Sequence, residues 1–106
     1  MGLSKSELFT ANQNKIASFA KAMGHPARIA ILEFIVNKGS CVCGDIVEHL
    51  PLSQSTVSQH LKAMKEVGIL KGEVDGPFRC YCLDAAKCRE LMQTIQNLFA
   101  KMTNCC

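Results

Sequence analysis

The stretch from Pro51 to Gly68, PLSQSTVSQHLKAMKEVG, constrains this chain most. Pro51 and Leu52 lead into Ser53, whose hydroxyl is placed to accept from the free N–H groups of a first helical turn, and Gln54 to Thr56 follow as opening helical residues. Val57, Leu61 and Met64 then recur four and three residues apart, which draws one narrow apolar stripe along a helix. Gly68 stands where a helix stops. Only the stripe can face a core. The opposite side carries Ser55, Thr56, Ser58, Gln59, Lys62 and Lys65, hydrogen-bonding groups and two cations without a large apolar interruption. Such a face meets either water or a polar partner.

The flanking residues favour a partner. Asp45 to Leu50 reads as a short helical segment that ends two or three residues before Ser53, the connection length of a helix-turn-helix. After Gly68, the segments ILKGEV and FRCYCL flank the turn residues Asp75, Gly76 and Pro77, which predicts a β-hairpin. Helix, turn, helix, hairpin is the order of a winged helix-turn-helix, whose second helix enters the major groove of DNA. On this reading Gln54, Ser55, Thr56, Ser58, Gln59 and His60 reach base edges or phosphates, and Lys62 and Lys65 meet the backbone. His60 serves equally well as a packing residue. The wing carries Lys71 and Arg79 but also Glu73 and Asp75, so its tip is a poor phosphate clamp.

The run LSQSTVSQHLKAMKEVGILKGEVDGPFRCYCLD, preceded by HPARIAILEFI and CVCGDIVEHL, resembles the ArsR/SmtB family of bacterial metal-responsive repressors. The resemblance spans roughly Lys15 to Phe99, and S-T-V-S-Q-H-L is its most specific part. It implies a mostly α fold with a small β-hairpin wing, and a homodimer joined through its first and last helices. It also implies a repressor that leaves operator DNA when a metal or metalloid binds, without fixing which.

Length and composition agree with that expectation. The 106 residues form one domain, 1–106, small enough for dimerisation to help stabilise it. A formal net charge of +3 permits DNA binding without demanding it. MGLSKSELF has no apolar run fit for a signal peptide, and no stretch approaches the roughly 18 residues of a membrane span. A cytoplasmic protein with reduced thiols and no membrane partner is expected, so seven cysteines point to metal or redox chemistry. No Ser-His-Asp set, carboxylate pair or phosphate loop suggests catalysis. Double-stranded operator DNA and a second copy are the expected partners, with no cofactor required for DNA binding.

Along the chain, Leu3 to Met23 predicts a helix closed by Gly24, and His25-Pro26-Ala27-Arg28 starts a second one that Lys38-Gly39 close. Ile29, Leu32, Ile35 and Val36 are its expected buried stripe, widened by Ile31 and Phe34. His25 and Arg28 read as structural. Asp84 to about Lys101 predicts the last helix, with Cys88, Leu91, Ile95, Leu98 and Met102 along one stripe and Cys88 in the core.

Ser40 to Cys43 is expected to form a third strand against the returning strand of the wing, Arg79 to Leu83. Side chains two apart in a strand share a face, so Cys41 pairs with Cys43 and Cys80 with Cys82. Facing residues lie about 4.5–5.5 Å apart, which brings the two C-x-C pairs into one thiolate site. Burial as small hydrophobes is the competing reading. Cys41-Val42-Cys43 also resembles the C-V-C pair of the family's arsenite and cadmium sensors, although the arsenite pattern's third cysteine is here Ile46. Cys80 or Cys82 supplies the third sulfur within the subunit; otherwise Cys105 or Cys106 does so from a partner's last helix, or forms a separate site.

The zinc sensors of the family carry histidine on the last helix, and here the only histidines are His25, His49 and His60. A cysteine-only site suits trivalent arsenic or antimony as effector, with cadmium(II), lead(II) or copper(I) as competitors. Two alternatives stay open: a repressor that senses oxidants or persulfides through its thiols, and a cysteine-rich metal carrier with no DNA role.

Overall fold

The structure, a computed structural model, describes residues 5–44 and 46–105. Leu3, Ser4 and Asp45, which two of the expected helices include, lie outside them, as does Cys106. The first expected helix is divided. A 3-10 turn, Lys5–Leu8, precedes α1, Ala11–Met23, because Thr10 is extended and acts as a reciprocal cap. Its Oγ1 accepts the Gln13 N–H at 3.1 Å, and Gln13 Oε1 accepts the Thr10 N–H at 3.0 Å. Satisfying two end donors at once starts a helix there instead of continuing one.

Helix α2 runs Pro26–Lys38. His25 Nδ1 accepts the Ala27 N–H at 3.0 Å, and Gly39 closes the helix in the left-handed conformation at φ 70°. The buried residues are Ile31 and Ile35, whereas Ile29 and Val36, expected in the stripe, are 39% and 61% exposed. In the run IAILEFIV apolar residues occur on every side, so periodicity could not choose the inward face.

Strand β1, Val42–Cys43, follows, and then a 3-10 turn at Val47–His49 in place of the expected helical segment. Leu50 is extended, as a residue before proline tends to be, so the turn cannot lengthen into Pro51. Ser53 caps α3, Gln54–Glu66, through the Thr56 N–H at 3.3 Å. Val57, Leu61 and Met64 are all 2% exposed or less, as their spacing predicts.

Strands β2, Leu70–Glu73, and β3, Cys80–Leu83, form the hairpin, and β1 pairs with β3 to give the antiparallel order β1-β3-β2. Val42 faces Tyr81 and Cys43 faces Cys80. Tyr81, Val42 and Leu70 are buried, so that side of the sheet covers the core. Gly72 faces Tyr81 at φ 103°, and a Cβ there would meet the Cys80 carbonyl oxygen at 2.5 Å. Helix α4, Ala85–Thr103, starts at Asp84, which accepts the Lys87 N–H at 3.1 Å. It leans on α1 through a Lys15–Glu90 ion pair that holds the Glu90 carboxyl below its ordinary value.

One polar cluster joins three helices. Arg28 donates from Nη1 to the Lys21 and Ala22 carbonyls at the end of α1, both at 3.2 Å, and from Nε to His60 Nδ1 on α3 at 2.9 Å. The His25 and His60 rings lie 4.9 Å apart. Burial, then the Arg28 charge, then His25 lower the His60 pKa from its ordinary 6.5. A neutral imidazole is the acceptor that Arg28 needs.

Two outcomes follow from this packing. Gly72→Ala should cost about 1–3 kcal/mol, seen as a melting temperature several degrees lower; an unchanged melting temperature would contradict the Gly72–Tyr81 register. Because His60 is harder to protonate folded than unfolded, its contribution to stability is complete above pH 6.5 and fades as pH falls below it. Thermal melts between pH 7.5 and 5.5 should show this decline, and His60→Gln should flatten it.

Candidate nucleic-acid interface and cysteine face

Ser53 and Thr56 are partly committed to the start of α3: Ser53 Oγ donates to Thr56 Oγ1 at 2.8 Å and lies 3.3 Å from Ser55 Oγ. Beyond that cap, Gln54, Ser55, Gln59, Lys62 and Lys65 are exposed on the side opposite Val57, Leu61 and Met64, with Thr56 and Ser58 half-buried at its edge. Donors and acceptors on a convex helix face, next to a helix N-terminus, suit phosphates and the base edges of a major groove. His60 Nδ1 accepts from Arg28 Nε, which ties α3 to α2 at this residue.

Lys62 Nζ pairs with Asp75 Oδ2 at 3.1 Å, both side chains about half exposed, which holds the wing tip beside the second half of α3. So exposed a pair contributes little and exchanges readily for a phosphate. Three residues after Asp75, Phe78 is 88% exposed. Neither feature shows in sequence patterning, because a hairpin's tilt toward a helix is set by tertiary packing.

The thiols gather as the strand argument expects. In the antiparallel pairing Cys41, Cys43, Cys80 and Cys82 lie on the sheet face opposite Val42 and Tyr81, with Cys41 and Cys43 exposed and Cys80 and Cys82 half-buried. Cα spacings are 4.3 Å for Cys41–Cys82 and 4.0 Å for Cys43–Cys80, and each pair is joined as a disulfide. In this oxidised form, no group of three or more His, Cys, Asp or Glu among the described residues is set to hold a metal ion. Two cross-strand dithiols on one open face are a donor set that fits a thiophilic ion once reduced. Lys71 faces Cys82 and Glu73 faces Cys80 from β2, so the two pairs differ in their neighbouring charge.

The remaining cysteines stand apart. Cys88 packs against the core and its thiol donates to the Ile69 carbonyl at 3.6 Å; burial, then Asp84, push its pKa up. Cys105 is exposed beyond the end of α4. The 19 residues of α4 span about 28 Å, while its first turn adjoins Cys82. Cys105 therefore cannot join the strand cysteines within one subunit.

Comparisons agree with this geometry. The family described as bacterial regulatory protein, arsR family, matches residues 25–71. An uncharacterized HTH-type transcriptional regulator of Methanocaldococcus jannaschii is 34% identical over 79% of this chain and 94% of its own length. A cadmium resistance transcriptional regulatory protein CadC homolog of Staphylococcus aureus is 30% identical over 84% of this chain and 74% of its own length. The solved structure of an ArsR-like transcriptional regulator from Rhodococcus sp. RHA1 superposes with a TM-score of 0.70 over 89% of this chain and 88% of its own, at 18% identity, and shares the fold. With a capped polar helix, an antiparallel wing beside it and these relatives, the chain belongs to the ArsR family of DNA-binding transcriptional regulators and is not an enzyme.

Proposed function

We propose that this regulator is a homodimeric repressor that grips operator DNA through α3 and releases it when a thiophilic metalloid or metal, arsenite or antimonite first among them, binds the strand cysteines. The observation that carries the reading is the convergence of Cys41, Cys43, Cys80 and Cys82 on one exposed face. Three of these sulfurs suffice for trivalent arsenic, and all four for cadmium. A relative named for cadmium resistance supports an effector of this class.

Position explains how the signal reaches DNA. β1 is the link between α2 and the turn that precedes α3, and β3 is the returning strand of the wing. An ion shared across these strands pulls both DNA-facing elements together. To act as a switch it must favour the DNA-free arrangement by about 1–3 kcal/mol or more.

A second reading rests on the disulfides themselves: the same pairs sense oxidant. Per pair, two thiols and one hydrogen peroxide give a disulfide and two waters, sulfur being oxidised and peroxide oxygen reduced. A metal carrier with no DNA role, open at the level of sequence, is overturned by the family membership.

Dimerisation is supported by the apolar surface that one chain leaves uncovered. Leu98 and Met102, expected along the α4 stripe, are 40% and 54% exposed, and Met92 and Phe99 on the same helix and Leu8 and Phe9 before α1 are exposed as well. A cleft of about 570 Å³ between α1 and α4, with Ile16 and Leu98 in its wall, continues that surface. A second copy would cover it and set two α3 helices about 34 Å apart.

Fluorescence anisotropy of the reduced protein on its own promoter DNA tests the effector. Arsenite or antimonite should release the DNA; Cys41→Ser with Cys43→Ser should abolish release and leave binding intact, whereas Gln59→Ala should weaken binding about tenfold or more. Release by peroxide alone selects the redox reading, and a protein that never binds the DNA refutes both. In sedimentation velocity the wild type should run as a dimer and Phe99→Glu as a monomer; a monomeric wild type would remove the dimer from the proposal.

A further inference from the structure

We propose that Cys41 and Cys82 form a dithiol site for a thiophilic ion carrying a hydrocarbon group, namely a trivalent monoorganoarsenical, whose carbon substituent lies in the cleft beside them. The inference rests on the thiolate-effector reading and goes beyond it by separating the four strand cysteines into two unlike pairs.

The cleft holds about 360 Å³ where α2 ends against the sheet, toward the lower end of the roughly 300–1,000 Å³ common for small-molecule sites. Ile35, Val36 and Leu83 supply apolar wall, and Cys41 and Cys82 stand in it. Cys43 and Cys80 do not line it. Val36 is 61% exposed, so the cleft keeps apolar surface in water that a hydrocarbon group would cover. Inorganic arsenite has no such group.

Charge separates the pairs the same way. Lys71 faces Cys82 across β2–β3, and Glu73 faces Cys80. A cation next to the first pair and an anion next to the second make Cys41–Cys82 the better home for thiolate charge. Their Cα spacing of 4.3 Å lets both sulfurs reach one atom.

The chemistry balances without a change of oxidation state in the ligand. A monoorganoarsenous acid, RAs(OH)₂, and two thiols give RAs(S-Cys)₂ and two waters; two As–O bonds break, two As–S bonds form, and each thiol proton leaves with a hydroxide. From the disulfide, a dithiol reductant first supplies two electrons and two protons and becomes a disulfide itself.

Competition binding of phenylarsine oxide and arsenite to the reduced protein, with adducts located by mass spectrometry and dithiothreitol as reference dithiol, tests the assignment. The protein should prefer the phenyl compound by about ten- to a hundredfold more than dithiothreitol does. Val36→Asp, at an exposed position, should weaken phenylarsine binding and leave arsenite binding and the circular dichroism spectrum unchanged. Cys43→Ser with Cys80→Ser should keep the phenyl adduct and its preference, and Cys41→Ser with Cys82→Ser should lose them. A preference no greater than that of dithiothreitol, or one carried by Cys43 and Cys80, overturns this inference alone. Failure of both arsenicals to add to any cysteine overturns it together with the thiolate-effector reading.

Discussion

The pairing of a two-residue strand, β1, with the returning strand of the wing is the constraint on which the structure depends. Val42 against Tyr81 buries one side of the sheet in the core, and Cys43 against Cys80 collects the thiols on the other. A slip of β1 by one residue would turn Val42 outward and draw its cysteines toward the core. Tyr81 is fully buried and large, so hydrophobic burial enforces the register that makes a thiol cluster. The site is thus a consequence of the core beneath it.

The same strands stand between α3 and the wing, the two parts proposed to face DNA. β1 leads into the turn before α3, β3 returns from the wing, and Lys62–Asp75 ties the wing tip to α3. On the far side of α3, Arg28 anchors His60 to the end of α1. The recognition helix is therefore held at several points by contacts of modest strength. In the proposed switch, a change at the strand cysteines would act on a helix whose position is a balance of these contacts.

Cysteine and apolar surface are distributed unevenly for a physical reason. Cys88 is embedded and its thiol is harder to ionise, while the strand cysteines face outward. Ionisable, accessible sulfur does chemistry, and buried sulfur packs. The apolar groups exposed on α4, Met92, Leu98, Phe99 and Met102, belong to a different element from the strand thiols and from the polar face of α3, so the proposed dimer contact, DNA contact and effector site would use different elements of a small domain.

By itself the sequence determined the elements whose signals are local. The Ser53 cap, the Val57, Leu61 and Met64 stripe, the Gly-Pro hairpin turn and, of the expected strand Ser40–Cys43, the pairing of Val42–Cys43 with the wing were legible, because caps, periods of 3.6 and 2, and turn residues act within a few positions. Local signals misled where several elements compete. The chain from Leu3 to Met23 breaks at Thr10, the turn at Val47–His49 stays short before Pro51, and the apolar run of α2 turned Ile31 rather than Ile29 inward. Only the tertiary structure decided that His60 serves Arg28, 32 residues away, that Lys62 meets Asp75, and that Cys105 lies a helix length from the strand thiols. Those are long-range contacts, set by how packed elements tilt and end, and no spacing within a single element encodes them.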